Sequence, residues 1–422
     1  MISRKYLTPL IVVLLLSLAG CSKDLSEPTP SPQISDNMSE RYLSDYDYMI
    51  DIIENNYPYL DVAKMVTHKD FETIYSEYRQ KIMDVETDAE FFSEIVQPFL
   101  DEFDYIGHMS IVSKEEYDAN FGSLKKLLGR DDFPQYGNFL LEVYSLPNVC
   151  KFYETSFNQG IGVEKSQSIE GDKSHNENLY FSYFPNDSAA YVSISSMLPF
   201  DKEDNDAAEL KKFFEEIESK GYQNCIIDIR GNGGGSDMYW REHIVSPNQK
   251  GPLSYKSYSL LKGVLSTLYV ESSGREIHPI SEFPIDSFPD LSYEQLDTFE
   301  YYYLRETTVS HSDEQPYSPL FNGHIWLLVD GYVYSAADYF ARFCKETGFA
   351  TVVGNETAGG SGSFSPMVVS LPNTGICFRF SPTLGLNSDG TSDEQVGTIP
   401  DIQASPGEDE LIRCLRTIRT ST

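Results

Sequence analysis

The sequence predicts a protein that mixes helices and strands, with a helical segment first and a strand-rich core after it. Residues 39–105 carry aromatic and aliphatic side chains at helical spacing in three successive stretches. Two apolar runs, IIDI at 226–229 and IWLLV at 325–329, have the composition of strands that are buried on both faces. A chain of 422 residues has room for one large domain and a smaller one.

The predicted N-terminal subdomain covers residues 37–105. Its first helix runs from Ser39 to Asn56 and ends before a proline. The second helix has apolar residues at helical spacing from Phe71 to Ile82. The third opens with TDAE at 87–90, the pattern of a capping box.

Residues 106–185 form a less regular connection. The sequence YIGHMSIVS at 105–113 predicts a short strand that contains His108, and the polar stretch 164–177 predicts a loop or a hairpin. We therefore expect a connecting β region before the core.

The predicted core covers residues 186–405, and a C-terminal helix follows at 406–422. A strand is expected at Ala190–Ser195, followed by an amphipathic helix around Leu210–Ile217. Short strands are expected at 351–353, 367–371 and 375–380. LPNTG, at 371–375, lies between two of these strands and predicts a hairpin turn. Residues 246–322 are rich in Tyr and Pro and show no clear periodicity, which indicates a lid or a substrate-facing excursion.

The N-terminus has the three parts of a secretory signal. Arg4 and Lys5 precede the apolar stretch Tyr6–Leu16, and small residues follow. LAGC at 18–21 resembles a bacterial lipobox, which implies removal of residues 1–20 and lipidation of Cys21. The alternative is a plain signal peptide in which Cys21 is incidental. Residues 21–36 are polar and rich in Pro and Ser, as expected of a flexible tether.

The net charge is −33, from 32 basic and 65 acidic residues. Such a charge argues against binding to nucleic acid and against attachment to an anionic membrane through basic patches. The lipid on Cys21 is then the expected contact with a membrane, and the bacterial cell envelope is the expected location.

The cysteines and histidines do not predict a metal site. Five cysteines follow Cys21, and an odd number leaves at least one thiol unpaired. Cys225 lies in a predicted apolar strand and Cys344 on a predicted helix, so both are expected in the core rather than in disulfide bridges. We find no metal-ligand spacing among the seven histidines, so no metal and no cofactor are expected.

Ser335 follows the apolar run 325–329 at the point where the spacing becomes helical. A serine at such a junction lies where the first free N–H groups of the helix can stabilise a developing oxyanion. The alternative is an ordinary helix N-cap serine.

A second candidate element is RGNGGG at 230–235, directly after the other buried strand. Glycine allows close approach of the backbone to a ligand. The spacing matches neither common nucleotide-binding motif, so a nucleotide site is not expected. The remaining readings are a simple turn and an oxyanion-binding loop.

These blocks occur in an order that resembles the S41 serine peptidases, the tail-specific (C-terminal processing) proteases with their tricorn-like relatives. The order is GHMS, IDIRGNGGG, LLVDGYVYSAADYF, VVGNETAGGSGSF and GTIPDI. The resemblance implies an α+β fold with a ClpP/crotonase-like core and a small helical N-terminal subdomain. It implies that Ser335 is the nucleophile, with the backbone of Gly233 or Gly234 and of Ala336 as oxyanion donors.

The resemblance also bears on the base that activates the serine. One branch of the family uses a lysine, whose position here is Gly360, and no lysine follows Lys345. The tricorn-like branch uses a histidine, and His108 in IGHMS matches it. Neutral imidazole is a competent base near physiological pH. Glu394 in SDEQVGTIPD fits the orienting acid of that branch, with Asp393 as the competitor.

Two departures from the family pattern affect specificity. The acid that often precedes the Gly-His pair is absent at Ile106, and residues 115–180 show no convincing PDZ pattern. The segment 246–322 is then the better candidate for shaping specificity. The resemblance implies an exported, lipid-anchored serine endopeptidase that acts on peptides or unfolded proteins. The alternative is an inactive lipoprotein that keeps the fold to bind a peptide or another ligand.

Overall fold

The computed structural model describes six segments of the chain: residues 38–129, 137–156, 178–198, 204–310, 318–362 and 364–421. The predicted signal peptide, lipidation site and tether lie outside the described residues, as does the predicted loop at 164–177. The helices and strands belong to the unit Ser39–Thr422, except that the first helix begins one residue earlier.

The described residues form thirteen strands. In chain order they are β1 Ser110–Ile111, β2 Leu179–Phe184, β3 Ala189–Ile194, β4 Asn224–Asp228, β5 Leu253–Leu261, β6 Ile277–Pro279, β7 Tyr301–Val309, β8 His324–Val329, β9 Thr351–Gly354, β10 Met367–Ser370, β11 Cys377–Phe380, β12 Thr383–Gly385 and β13 Ile402–Gln403.

The α-helices of four or more residues are α1 Met38–Asn56, α2 Leu60–Thr67, α3 Phe71–Lys81, α4 Gln97–Asp101, α5 Lys114–Leu127, α6 Gly137–Tyr144, α7 Pro147–Lys151, α8 Asp204–Ser219, α9 Asp237–Trp240, α10 Gly263–Ser272, α11 Tyr293–Leu296, α12 Ala336–Thr347 and α13 Glu410–Ser421. Shorter or π-helical turns extend four of them: Ile82–Asp84 after α3, Asp88–Glu90 and Phe91–Val96 before α4, Phe152–Ser156 after α7, and Arg241–Val245 with Ser246–Asn248 after α9.

A six-stranded sheet forms the centre of the core, in the order β13-β9-β8-β4-β3-β2. All neighbours are parallel except β2 and β3. One face packs against α8, α9 and α12, and the other against α13. Because both faces are covered, residues 225–227 of β4 and 325–329 of β8 can be apolar without alternation. This explains most of the two apolar runs in the sequence.

The three predicted N-terminal helices are confirmed as α1, α3 and the helical segment that ends in α4. The capping box is also confirmed: Glu90 N donates to the Thr87 hydroxyl, and the Glu90 carboxylate accepts from Thr87 N. The sequence pattern did not reveal α2, which has only eight residues. A segment of this length shows barely two turns of periodicity.

The predicted β region at 106–185 is wrong for much of its described part. Residues 114–156 are mainly helical, in α5, α6 and α7. Ser113 caps α5 by accepting from Glu116 N at 3.1 Å. The rings of Tyr117 and Tyr153 stack at 4.4 Å between centroids, and these contacts between helices were not visible as a regular sequence period.

The predicted strand at 105–113 is also shorter than expected. Tyr105, Gly107 and His108 have φ values of +63°, +55° and +60°, which a strand cannot accommodate. His108 therefore lies in a tight turn, and only Ser110–Ile111 pairs, with β11.

The segment 246–322 is not an irregular lid. Its described part supplies β5, β6 and β7, which join β12 in a four-stranded antiparallel sheet of order β12-β5-β7-β6. β5 and β7 pair over nine residues each. Serines at both buried and exposed positions of β5, such as Ser254 and Ser257, obscured the alternation in the sequence.

The third sheet has the order β1-β11-β10. The predicted hairpin turn at 371–375 joins β10 to β11 and is confirmed. Leu371 N donates to Ile376 O at 2.8 Å, and Gly375 has a φ of +81°.

Cys225 and Cys344 are buried in the core as expected, and Cys150, Cys377 and Cys414 are also free thiols. Within the described segments, no helix combines the length and the apolar character needed to cross a membrane.

Candidate active site

The loops that follow β4 and β8 meet at one edge of the central sheet. The two strands are parallel neighbours, so their carboxyl ends lie side by side. Tyr334 N donates to Asn232 O at 3.1 Å, and Gly231 N donates to the Asp330 carboxylate at 3.0 Å. The glycine loop 231–235 is thereby held against the start of α12.

Gly234 must be glycine for this contact. Its φ is +102°, and a Cβ atom there would lie 2.7 Å from Tyr334 O and 2.9 Å from Ala336 N. Such distances are shorter than van der Waals contact with either backbone atom. The glycine run in the sequence therefore serves the close packing of the loop against the serine turn.

Ser335 occupies a strained turn between β8 and α12. Its φ is +55° and its ψ is −122°, a conformation that costs a non-glycine residue about 1–3 kcal/mol. Ser335 stands at the N-cap position of α12, but its side chain makes no capping bond to the helix. Instead, Ser335 Oγ lies 3.1 Å from His108 Nε2.

The turn that carries His108 is fixed from both sides. Tyr57 Oη donates to Ile106 O at 2.7 Å, and Ser381 N donates to Gly107 O at 2.7 Å. A Cβ atom at Gly107 would lie 2.5 Å from the Tyr59 ring. The N-terminal helices and the core therefore jointly hold the imidazole in place.

The second nitrogen of the imidazole faces two hydroxyl groups. His108 Nδ1 lies 2.9 Å from Ser381 Oγ and 3.3 Å from Tyr334 Oη. When Ser335 Oγ donates to Nε2, the neutral ring carries its hydrogen on Nδ1, and the nearer acceptor for it is Ser381 Oγ.

Glu394 reaches the imidazole through an intermediate group. Its Oε1 accepts from Tyr334 Oη at 2.7 Å and from Gly107 N at 2.9 Å. In the described part of the chain, no hydrogen bond joins Glu394 directly to His108. The acid therefore touches both a hydroxyl neighbour of the ring and the backbone that presents it.

Asp393, the competing acid, is used elsewhere. It is fully buried, and its two oxygens accept from Tyr59 Oη at 2.9 Å and from Gly362 N at 2.7 Å. These contacts tie an N-terminal helix to the loop after β9. The geometry therefore favours Glu394 over Asp393 as the acid beside the imidazole.

Burial controls the ionisation of these groups. Desolvation lowers the pKa of His108 to about 3, with a smaller contribution from the charge of Arg379. Desolvation raises the pKa of Glu394 to about 8, with a second contribution from Asp393. The imidazole is therefore neutral across the physiological range and can accept a proton.

The lowered pKa of His108 predicts an unusual acid limb. For the peptidase that the sequence predicts, kcat/KM for peptide cleavage reports the ionisation of the free enzyme. The rate should then show no fall centred near pH 6.5, the ordinary pKa of histidine. The measurement is the pH profile of the wild type and of Glu394→Gln, which removes the carboxyl group whose pKa burial raises to about 8. A limb with an apparent pKa of 6–7 in Glu394→Gln would contradict the burial of the imidazole.

The lowered pKa of His108 also limits the pH range in which the protein is folded and its rates can be measured. The unfolded chain binds a proton on this histidine near pH 6.5, whereas the folded protein binds it only near pH 3. This contribution to stability is present above pH 6.5 and is lost as the pH falls from 6.5 toward 3. Circular dichroism at each pH establishes that the protein is still folded.

The expected oxyanion donors differ in their surroundings. Ala336 begins α12 and lines a cavity together with Ser335 and His108. Gly234 N donates to Asn232 Oδ1 at 2.9 Å within its own loop. Gly235 lines the cavity, whereas Gly233 and Gly234 do not. The glycine that lines the cavity is thus one or two residues later than the predicted pair.

The cavity beside Ser335 has a volume of about 450 Å³, within the range of ligand pockets. Its walls include the aromatic rings of Tyr303, Tyr339 and Phe364. The described residues contain no cluster of His, Cys, Asp and Glu side chains that could hold a metal ion. The chemistry that this site can support from its own side chains is nucleophilic attack by a serine with a histidine base.

Two residues of the site escaped sequence reasoning. Tyr334 directly precedes Ser335, and this adjacency indicates that Tyr334 is near the site. The sequence does not indicate that Tyr334 contacts Glu394. Ser381 lies 273 residues after His108, and nothing in the local sequence indicates that they meet.

A strained serine at a strand–helix junction that is hydrogen-bonded to a histidine is the arrangement of a serine hydrolase. The model of Peptidase family S41 matches residues 188–404, which is just over half of the chain. The chain belongs to this family.

Solved structures with low sequence identity share the fold. A protein from Parabacteroides merdae, solved as a candidate peptidase, has a TM-score of 0.51 at 18% identity, covering 91% of this chain and 97% of that one. Mature CPAF in complex with lactacystin has a TM-score of 0.51 at 14% identity, covering 87% and 94%. No curated protein matches the sequence.

These findings confirm the predicted family and the predicted fold, an S41 peptidase core of the ClpP/crotonase-like type with a helical N-terminal region. The roles of Ser335, His108 and Glu394, and the lipidation of Cys21, stay predictions.

Proposed function

We propose that the protein is a serine endopeptidase in which Ser335 is the nucleophile and His108 the general base. The observation that carries this proposal is the 3.1 Å separation between Ser335 Oγ and His108 Nε2. Membership of Peptidase family S41 supports peptide or protein substrates.

The reaction follows from the positions of these atoms. Ser335 Oγ attacks the scissile carbonyl while His108 Nε2 takes its proton. The imidazolium then gives that proton to the leaving amine, and an acyl-enzyme remains on Ser335. Water attacks the acyl-enzyme with the same base. The N–H of Ala336, at the start of α12, is the principal candidate for stabilising the oxyanion.

His108 becomes positively charged during each proton transfer, and its neighbours support that charge. Ser381 Oγ accepts from Nδ1 and holds the ring in the orientation that keeps Nε2 toward Ser335. Glu394 supports the ring through Tyr334 Oη and fixes the turn through Gly107 N. We assign Tyr334, Ser381 and Glu394 as positioning residues.

Removing either hydroxyl group should lower kcat without weakening substrate binding. We expect kcat to fall about 10- to 100-fold in Tyr334→Phe and in Ser381→Ala with KM nearly unchanged, because each change removes one hydrogen bond that supports the charged ring. Steady-state kinetics on a quenched peptide measure this. Ser381→Thr, which keeps the hydroxyl, should recover much of the rate.

Tyr332→Phe is the matched control for Tyr334→Phe. Tyr332 lies two residues before Tyr334 and is 76% exposed, so its hydroxyl is outside the network. An equal loss of kcat in Tyr332→Phe and Tyr334→Phe would contradict the assigned role of Tyr334.

Labelling with a fluorophosphonate probe tests the function itself. We expect covalent labelling of Ser335 in the wild type and strongly reduced labelling in His108→Ala. A folded wild-type protein that is not labelled would favour the alternative, an inactive S41 fold that binds a peptide or another ligand.

We further propose export and lipid anchoring in a bacterial cell envelope. The support is the sequence LAGC at 18–21 after a basic and apolar N-terminus. Growth with an alkyne-bearing fatty acid should label the wild type but not Cys21→Ser. Equal labelling of both proteins would rule out Cys21 as the lipidated residue.

A further inference from the structure

The cavity beside Ser335 carries positive charge, although the whole chain has a net charge of −33. Among the described residues that line it, Arg275 and Arg305 are the cationic side chains and Asp237 is the one carboxylate. His108 also lines the cavity and is neutral near physiological pH because burial lowers its pKa.

The charge of Asp237 is already more than balanced. Its Oδ2 lies 2.9 Å from Arg241 Nη2 and 3.1 Å from Arg305 Nη2. One carboxylate therefore faces two guanidinium groups, which leaves an excess of one positive charge beside the cavity before Arg275 is counted.

Arg305 is held in a fixed orientation at the cavity wall. Its guanidinium carbon lies 3.9 Å from the centre of the Tyr339 ring, and Nη1 lies 3.5 Å from Ser361 O. A stacked and paired guanidinium has already lost much of its conformational entropy. Binding a ligand therefore costs Arg305 little further entropy.

Arg275 is different, because it is exposed and makes no hydrogen bond or ion pair with any described residue. It lies in the turn between α10 and β6. Gly274, with a φ of +71°, makes that turn, and Gly274 N donates to Glu271 O at 2.8 Å. The neighbouring acids Glu271 and Glu276 are exposed and form no ion pair with Arg275 in the described part of the chain.

We propose that this cavity binds a carboxylate of the substrate through Arg275 and Arg305. This inference rests on the proposed peptidase function and specifies its substrate class. Guanidinium groups bind carboxylates through paired, charge-assisted hydrogen bonds. The carboxylate comes from an Asp or Glu side chain close to the scissile bond or from the C-terminus of the peptide.

The negative net charge of the chain does not prevent a carboxylate from binding in this cavity. At physiological ionic strength, exposed charges are screened beyond about 8 Å. The field inside the cavity therefore comes mainly from the charged groups beside it, where the guanidinium groups outnumber the one carboxylate. The net charge of the chain acts mainly on the distant approach of the substrate. Without local cations, an acidic peptide would have no favourable electrostatic contact near Ser335.

Quenched peptides that differ at a single position test the proposal. Glu, Gln or Lys is placed in turn at each of three positions on either side of the scissile bond, with an amidated C-terminus. We expect the wild type to prefer Glu over Gln by about tenfold in kcat/KM at one position, as one charge-assisted pair would give. Arg275→Ala should reduce this ratio toward one, and Arg275→Glu should shift the preference toward Lys.

Lys126→Ala is the matched control, because it removes one exposed positive charge from α5, outside the cavity. Its Glu-to-Gln ratio should equal that of the wild type.

A second set of neutral peptides, with a free or an amidated C-terminus, identifies the source of the carboxylate. If the wild type prefers the free C-terminus and shows no preference for Glu over Gln, the cavity binds the C-terminal carboxylate.

Binding to Ser335→Ala separates this proposal from the peptidase function. Fluorescence anisotropy of the same peptides reports recognition whether or not cleavage occurs. Equal binding and equal cleavage of all acidic and neutral peptides would overturn the carboxylate site while leaving the peptidase intact. Selective binding of acidic peptides, lost in Ser335→Ala/Arg275→Glu, would support the site even if no peptide were cleaved by the wild type.

Discussion

Replacing Ser335 with alanine is expected to lower kcat for peptide cleavage by roughly a millionfold. The substitution removes the hydroxyl that lies 3.1 Å from His108 Nε2, and no covalent intermediate can then form on this residue. Cleavage of a quenched peptide and fluorophosphonate labelling are the measurements. Any residual rate over uncatalysed hydrolysis would come from binding and from the oxyanion donors.

Two properties make Ser335→Ala a clean test. Alanine removes the hydroxyl without adding volume, so the melting temperature should remain close to that of the wild type. Ser145→Ala, an exposed serine outside the cavity, should keep full activity and labelling. Cleavage by Ser335→Ala at a rate within tenfold of the wild type would contradict the assignment of the nucleophile.

Replacing His108 with alanine should lower kcat by a factor of about 10⁵–10⁶. A serine hydroxyl without a base is a poor nucleophile at neutral pH, and losing the base of a catalytic unit costs about as much as losing the whole unit. For the same reason the double variant Ser335→Ala/His108→Ala should be no slower than either single variant.

His278→Ala is the control for His108→Ala. His278 lies against the Tyr302 ring, at 5.1 Å between centroids, in the four-stranded sheet and does not line the cavity. We expect this variant to keep most of its activity. If His108→Ala retained more than about a tenth of the wild-type rate while remaining folded, another group would have to be the base.

The sequence predicted the centre of the site because the relevant signals are local or belong to the family. Residues 225–227 of β4 and 325–329 of β8 are continuous apolar runs, as expected of parallel strands between two helical layers. The glycine loop and Ser335 follow those strands directly. His108, by contrast, came from the resemblance to a motif, because no local pattern relates it to a serine 227 residues later.

The contacts around the imidazole could not be predicted. Ser381 and Tyr334 meet Nδ1 only because the third sheet and the start of α12 converge there. The choice between Glu394 and Asp393 depended on which of two adjacent side chains points toward Tyr334. Adjacent carboxylates have nearly the same local sequence, so only the three-dimensional structure distinguishes them.

The secondary structure of two regions was missed for a similar reason. The sheet formed by β5, β6, β7 and β12 packs large tyrosines on both of its sides, which hides the two-residue period that identifies a strand. α5, α6 and α7 are stabilised by contacts among aromatic rings from separate helices. Such packing is a tertiary effect that a single-segment pattern does not record.

The turn that presents His108 makes the proposed site depend on two separate parts of the fold. Tyr57 and Tyr59, at the end of α1 and the start of α2, hold this turn, while the nucleophile belongs to the central sheet. If the sheet folds before α1 and α2 dock, Ser335 is in place but His108 is not yet held beside it. The proposed proteolytic activity therefore depends on the docking of the N-terminal segment against the core as well as on the folding of the central sheet.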